Sequence, residues 1–478
     1  MRGGQLDTAL LGDWLRADGP LYLKLASALR AAVERGDIPA GTRLPPERTL
    51  AQSLQVSRAT VVSAYKVLRA EGWLLSRQGS GHVVSHRTQD DARPLLDKEL
   101  VEGQALNPLM RRHDPGDRGL VDFTASQQSS LGSFLREETT ASGDELQALA
   151  ADAGYQPSGL ENLREGVARY LTSQFDLPTT LDQILITSGA QQAIWLTGQL
   201  YARHGDNVVL ENPTYSGAID AYRMIGARLS PVPVTADGFD IQALTSLLPA
   251  LRPRVVFLSP TCHAPTGAVM PEEQRMALID LVDEHQITTI EDQTMLPLLV
   301  DPVAPPPLAA LSGSAPVLSV GSLSKIMWPG LRTGWVRAPL PVIEQLTRIK
   351  AATDLGGSLV GQHIAARLLG RAEEIRRLRC AQVAESLDVM CECLTRMLPD
   401  WTWSRPAGGL SIWIRLPTHG AVEFTQLALL HGVKIVPGPS LSFDGSNDDY
   451  IRLQFVQPPE LVDLGVRRLA QAWRSYAS

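Results

Sequence analysis

Five short strand-like runs, at 184–186, 208–210, 255–258, 287–290 and 317–320, recur along the chain with helix-length segments between them. Runs too short for buried helices, separated by enough chain for a crossover helix, predict a mostly parallel sheet covered by helices on both faces. Open sheets of this kind gather their ligands at the carboxyl ends of the strands. The residues that follow each run are therefore the candidates for chemistry.

The run at 317–320 delivers Ser322, Ser324 and Lys325 into a loop closed by Pro329 and Gly330, and Arg332 follows one short turn later. A lysine beside hydroxyls and an arginine suits a phosphorylated aldehyde: the amine forms an imine, and the hydroxyls and guanidinium take the phosphate. That aldehyde would be pyridoxal 5'-phosphate. The order Ser-x-Ser-Lys, then Pro-Gly-Leu-Arg-x-Gly, resembles the cofactor-lysine loop of fold-type I aminotransferases, with Lys325 as the Schiff-base lysine.

After the run at 184–186 the sequence Thr-Ser-Gly-Ala-Gln-Gln opens a helix at about Ala190. Backbone N–H groups at Ser188, Gly189 and Ala190, with the helix dipole, would cradle a phosphate, and the resemblance implies the same use of this turn. The resemblance further implies that Tyr215, in Glu-Asn-Pro-Thr-Tyr, stacks on the pyridine ring and that Asp292 holds the pyridine nitrogen protonated. It implies that Arg452, in Asp-Tyr-Ile-Arg-Leu-Gln-Phe, grips a substrate or effector carboxylate, and that Tyr155 reaches the phosphate of a second subunit, which requires a homodimer. Two departures stand out. Where the enzymes have Asn-Pro-Thr-Gly this chain has Ala264-Pro-Thr-Gly267, and no tyrosine follows Asp292. Both lost side chains would have bonded the cofactor's phenolic oxygen. Weak turnover is expected unless His263 or Thr294 substitutes, and His263 alone reads as a satisfied polar residue.

The amino-terminal part is organised differently. Leu21, Leu25, Ala28, Leu29 and Ala32 recur at helical spacing; residues 47–54 read as a second helix, Ser57 as the cap of a third running to about Glu71, and residues around 73–75 and 82–84 as a hairpin wing. Val61, Val62, Tyr65 and Leu68 are expected to face inward, leaving Arg58, Thr60 and Ser63 to a groove. Residues 20–84 hold nine Lys or Arg against four Asp or Glu, a local charge of +5 in a chain of net charge −7. Phosphates are the expected partner. This segment resembles the winged helix of the GntR family of bacterial transcription factors, which implies that Arg48, Ser57, Arg58 and Thr60 contact double-stranded DNA and that the wing at Ser80 and Gly81 approaches its backbone.

The expected organisation is multidomain: a mainly α winged helix-turn-helix at 15–85, a polar linker at 86–120, and an α/β fold-type I aminotransferase-like domain at 121–478 whose small subdomain starts near 340. A GntR winged helix joined to such a domain is the arrangement of the MocR subfamily of regulators. An amino compound as effector is then expected. The rival readings are a working aminotransferase carrying a DNA-binding domain, a regulator for which pyridoxal phosphate itself is the signal, and a cofactor-free binding module. The four cysteines have neither disulfide density nor zinc spacing, as expected in a reducing cytoplasm, and no metal site is expected. The longest uncharged stretch, 184–202, carries three glutamines and two glycines, which argues against a membrane span.

Overall fold

The computed structural model describes residues 8–11, 14, 21–35, 37–39, 42–54, 56–70, 73–77, 81–84, 119–124, 132, 136, 138, 140–151, 153–300 and 304–477. The chain divides into two compact units, Met1–Ala105 and Leu106–Ser478. Ser80 and nearly all of the stretch read as a linker lie outside the described residues.

In the first unit, α1 (Leu21–Glu34), α2 (Glu47–Leu54) and α3 (Arg58–Ala70) precede a hairpin of β1 (Leu74–Arg77) and β2 (Gly81–Val84). The hairpin is antiparallel, with Leu74 opposite Val84 and Arg77 opposite Gly81. Ser57 caps α3 by accepting from the Thr60 N–H at 3.1 Å, satisfying a backbone donor the helix cannot. Leu25, Leu29 and Ala32 pack with Leu50, Val61, Ala64, Tyr65 and Leu68 in one core. Val62 does not join them: it is 40% exposed, because helical spacing from Val61 carries Ala64 and Tyr65 inward and turns Val62 outward. The Tyr65 hydroxyl donates to the Pro45 carbonyl at 2.8 Å, and its ring meets His82 edge-on at 4.9 Å, which ties the wing to α3.

The second unit is built on an eight-stranded sheet of β4 (Ile184–Thr187), β5 (Asn207–Asn212), β6 (Arg228–Thr235), β7 (Gly238–Phe239), β8 (Val255–Leu258), β9 (Thr288–Asp292), β10 (Val317–Ser322) and β11 (Gly334–Arg337). Their order is β4-β11-β10-β9-β8-β5-β6-β7. Strands β10, β9, β8, β5 and β6 are parallel, while β11 runs antiparallel between β10 and β4. Every residue of β8, β9 and β10 is buried, which is why β8 reads as an unbroken apolar run, while β9 carries Glu291 and Asp292 into the buried sheet. β6 escaped the sequence reading because Pro231 and Pro233 interrupt it and most of its side chains remain at least partly exposed near the sheet edge.

Towards the carboxyl end a four-stranded sheet forms from β12 (Thr402–Trp403), β13 (Ser411–Arg415), β15 (Val436–Pro437) and β16 (Tyr450–Gln454), ordered β12-β13-β16-β15. The packing does not divide at 340. Ile343 and Leu346 belong to the core of the large sheet, whereas the core of the smaller sheet begins at Val383 and takes in Val121 and Phe123 from the start of the domain. There β3 (Val121–Asp122) pairs in parallel with β14 (Val433–Lys434), a union that no local signal announces. All four cysteines are free thiols. Among the described residues, no helix is long and apolar enough to cross a membrane.

Candidate cofactor and effector site

The carboxyl ends of β4, β5, β9 and β10 converge on one cluster. At the end of β4 the chain turns through Gly189, whose φ of +123° is a glycine conformation, into the helix α4 (Ala190–Tyr201). A Cβ added to Gly189 would stand 3.2 Å from an Arg332 guanidinium nitrogen, so the missing side chain leaves room for that guanidinium against the helix start. Arg332 itself holds φ +49° behind a single 3-10 turn, Pro329–Leu331. Positive charge, bare backbone and a helix N-terminus together form an anion cradle. The Ser188 N–H is already engaged, donating to the Gln192 side chain at 2.8 Å, so its hydroxyl and the N–H groups beyond it face the cradle's task.

Lys325 lies in the turn after β10, partly buried. Ser322 does not stand ready for a ligand: its hydroxyl lies 2.9 Å from the Ser324 hydroxyl and 3.2 Å from the Thr333 carbonyl, and it accepts from the Ser324 N–H. It shapes the loop and leaves Ser324 nearer the opening. Leu323, Ile326 and Met327 anchor the same loop in the core. Arg379, which the sequence reading missed, is 2% exposed and donates to the carbonyls of Ile326 and Met327 at 3.0 and 3.1 Å. Its signal was available: it falls four residues from both Ile375 and Val383, a charge in the middle of a buried helical stripe.

Asp292 ends β9. Burial pushes its carboxyl above the ordinary aspartate range, and Glu211 adds repulsion, while hydrogen bonds from the Thr294 hydroxyl and N–H and the charge of Lys325 oppose the shift. Tyr215 stands in the same field: burial and the carboxylates of Asp292 and Asp220 push its phenol up to about 12, against Arg332. Gly189, Arg332, Tyr215, Asp292 and Lys325 are thus one electrostatic neighbourhood. Of the two possible substitutes for the departed donors, Thr294 is engaged by Asp292 and His263 is hydrogen-bonded through Nδ1 alone. Thr294 is turned onto Asp292, and His263, 1% exposed, places Nδ1 2.8 Å from the Thr266 hydroxyl and Nε2 3.3 Å from Glu211.

A raised aspartate pKa means that the folded protein favours the protonated carboxyl. That contribution is present below the ordinary aspartate pKa and is lost as pH rises through the raised one. Asp292→Asn should therefore raise the melting temperature of the ligand-free protein at pH 7 more than at pH 4. The same variant should hold a pyridine cofactor more weakly. Calorimetry at the two pH values checks the first effect, and cofactor titration the second.

The remaining expected residues sit on other elements. Arg452 is on β16 opposite Trp413 of β13, with its guanidinium 3.4 Å from the Thr124 carbonyl. Tyr155 is 69% exposed on a surface segment. In the first unit Arg48, Ser57 and Arg58 are exposed and Thr60 is partly so, with its hydroxyl 2.8 Å from that of Ser57, while Gly81 opens β2.

The residues present fit a phosphorylated pyridine aldehyde: an anion cradle, a flanking aromatic ring, a buried carboxylate and a lysine all meet at the strand ends. Residues 21–84 match the bacterial regulatory proteins of the gntR family, and residues 121–469 match aminotransferase class I and II. Over 92% of its length, and 93% of the relative, the chain is 30% identical to the uncharacterized HTH-type transcriptional regulator YisV of Bacillus subtilis. It is 29% identical to the probable rhizopine catabolism regulatory protein MocR of Rhizobium meliloti, covering 80% of this chain and 79% of that one. The chain belongs to the MocR-type regulators of the GntR family. Among solved structures, this MocR-type chain is similar to LysN, an α-aminoadipate aminotransferase from Thermus thermophilus complexed with N-(5'-phosphopyridoxyl)-L-leucine. The two share 29% identity and a TM-score of 0.69 over 75% of this chain and 93% of that one. The MocR-type chain thus joins a GntR DNA-binding domain to an aminotransferase fold.

Proposed function

We propose that this protein is a pyridoxal-phosphate-dependent transcriptional regulator of the cytoplasm. It binds a double-stranded operator through its winged helix as a homodimer and senses an amino compound at Lys325. The observation that carries the reading is the meeting of Lys325, Asp292, Tyr215, Arg332 and Gly189 at the strand ends of a chain that also bears a GntR domain. Bound there, pyridoxal phosphate supplies an electrophilic carbon for an amino group and an electron-withdrawing ring. The chain does the rest. Lys325 holds the aldehyde carbon, Ser188, Gly189, Ala190, Ser324 and Arg332 take the phosphate, Tyr215 stacks on the ring, and Asp292 keeps the ring nitrogen protonated. Ser322 acts by fixing Ser324.

Arg452 binds the effector's carboxylate, and Tyr155 completes the partner copy's phosphate site; its exposure, with that of Leu355 and Val360, favours self-association. Arg48, Ser57, Arg58 and Thr60 contact the operator, flanked by the wing at Ser80 and Gly81. Catalytic turnover is weak, because Ala264 offers no donor and Thr294 spends its hydroxyl on Asp292. The test is operator binding titrated with a panel of amino acids, with and without pyridoxal phosphate. One class of amine should change operator affinity about fivefold or more, only in the presence of cofactor. Transamination at ordinary enzyme rates, about 10 per second, with operator affinity unmoved, would favour an enzyme instead.

A further inference from the structure

A buried lysine outside the cofactor cluster begins a chain of contacts that ends on its phosphate turn. Lys350, 1% exposed, lies near the end of the helix α5 (Leu340–Asp354) and donates to Asp354 Oδ1 at 2.8 Å. The other oxygen of Asp354 accepts from Gln192 Nε2 at 2.7 Å. Gln192 Oε1 in turn accepts the Ser188 N–H, the amide that leads into the anion cradle, at 2.8 Å. A single glutamine therefore reports the position of that turn to a carboxylate 162 residues away.

Asp354 also reaches the opposite way. Its Oδ1 accepts the Gly356 N–H at 3.0 Å, and a Cβ on Gly356 would come within 3.0 Å of the Gln156 carbonyl, so Gly356 packs directly on the segment that presents Tyr155. The turn that brings this about holds Leu355 at φ +57°, a left-handed conformation unfavourable for a branched apolar residue, and leaves its side chain 54% exposed. Tyr155, Leu355 and Val360 are thus exposed around one end of the contact chain, and the phosphate turn is at the other.

We infer that Asp354 and Gln192 are positioning residues that couple occupation of the phosphate turn to docking of the second copy on the Tyr155 surface. This rests on the proposed cofactor and homodimer. A phosphate on the cradle fixes Ser188, Gln192 transmits the position to Asp354, and Asp354 sets the Gly356 turn beneath Gln156. Coupling of this kind is reciprocal, so self-association must tighten cofactor binding by the same factor.

The experiment measures self-association of the full chain by sedimentation with and without pyridoxal phosphate, and cofactor affinity by absorbance. In the unaltered protein the cofactor should tighten self-association about tenfold. Gln192→Met, which leaves the Lys350–Asp354 pair intact, should lose most of that tightening. Gln192→Glu should lose it at pH 8, where two carboxylates face each other, and regain it near pH 5 as the new carboxyl protonates and donates to Asp354, a recovery that damaged packing would not give. Cofactor uptake with tightening that survives both substitutions, or that never occurs in the unaltered protein, overturns the inference alone. An unaltered protein that takes up no cofactor overturns the inference and the proposed function together.

Discussion

Replacing Lys325 with alanine is expected to abolish the visible absorption band that the protein gains with pyridoxal phosphate and to leave the cofactor removable by dialysis. Lys325 is the lysine of the strand-end cluster, and its charge reaches Asp292 while its loop is fixed by buried Leu323, Ile326 and Met327 and by the two bonds from Arg379. Those anchors do not involve the lysine side chain, so the fold should survive. The proposed phosphate cradle, built on Gly189 and Arg332, should survive as well. Cofactor binding should therefore weaken rather than vanish, by at least about a hundredfold once the covalent bond is lost. Spectra recorded beside equilibrium dialysis distinguish loss of the bond from loss of the site. A band of the same wavelength retained in the variant would mean that another amine carries the aldehyde.

Arg58→Ala should have the second large effect, on DNA. Arg58 begins α3 with its side chain 70% exposed and only a loose 3.6 Å approach to Glu47, which lies 3.5 Å from His82 of the wing. The residue is thus presented at the start of the second helix of a helix-turn-helix, where base edges and phosphates are met. Removing an arginine that reads a base edge costs about 1–3 kcal/mol, roughly fivefold to 150-fold in operator affinity. Arg48→Ala, on the exposed face of α2, should weaken binding more evenly across sequences and reduce the salt slope by about one. Anisotropy titrations at two salt concentrations, with operator and unrelated duplex, separate the two behaviours. Neither variant should shift the melting temperature of the domain by more than about a degree or two, because neither side chain enters its core.

Much of this was legible beforehand for a common physical reason. The helices of the winged domain, the capping serine and the strands read at 255–258 and 317–320 depend on periodicity and turn chemistry within a few residues. The lysine loop and the glycine turn are contiguous motifs. What stayed hidden depends on how each side chain is committed once the chain is packed. Ser322 looked like a ligand for phosphate, yet its oxygen is engaged with Ser324 and Thr333. Thr294 looked able to replace a lost tyrosine, yet it bonds the very aspartate it follows. Val62 looked like a core residue from its apolarity, yet with Val61, Ala64 and Tyr65 buried on one face of α3 it is turned to solvent.

The sequence by itself determined that this chain has a winged helix-turn-helix followed by an α/β aminotransferase-like domain, and which lysine, aspartate and arginines were the candidates for its chemistry. Local patterning suffices for that, because hydrophobic period, caps and motif order are properties of short stretches. Only the tertiary structure decided that β11 reverses direction between β10 and β4, that β3 joins the core of the smaller sheet and pairs with β14, and that Arg332 settles against Gly189. It alone joined Lys350 through Asp354 and Gln192 to the turn at Ser188. Such pairings are set by strand order and by which faces must be buried together, and these are properties of the whole packed core rather than of any segment.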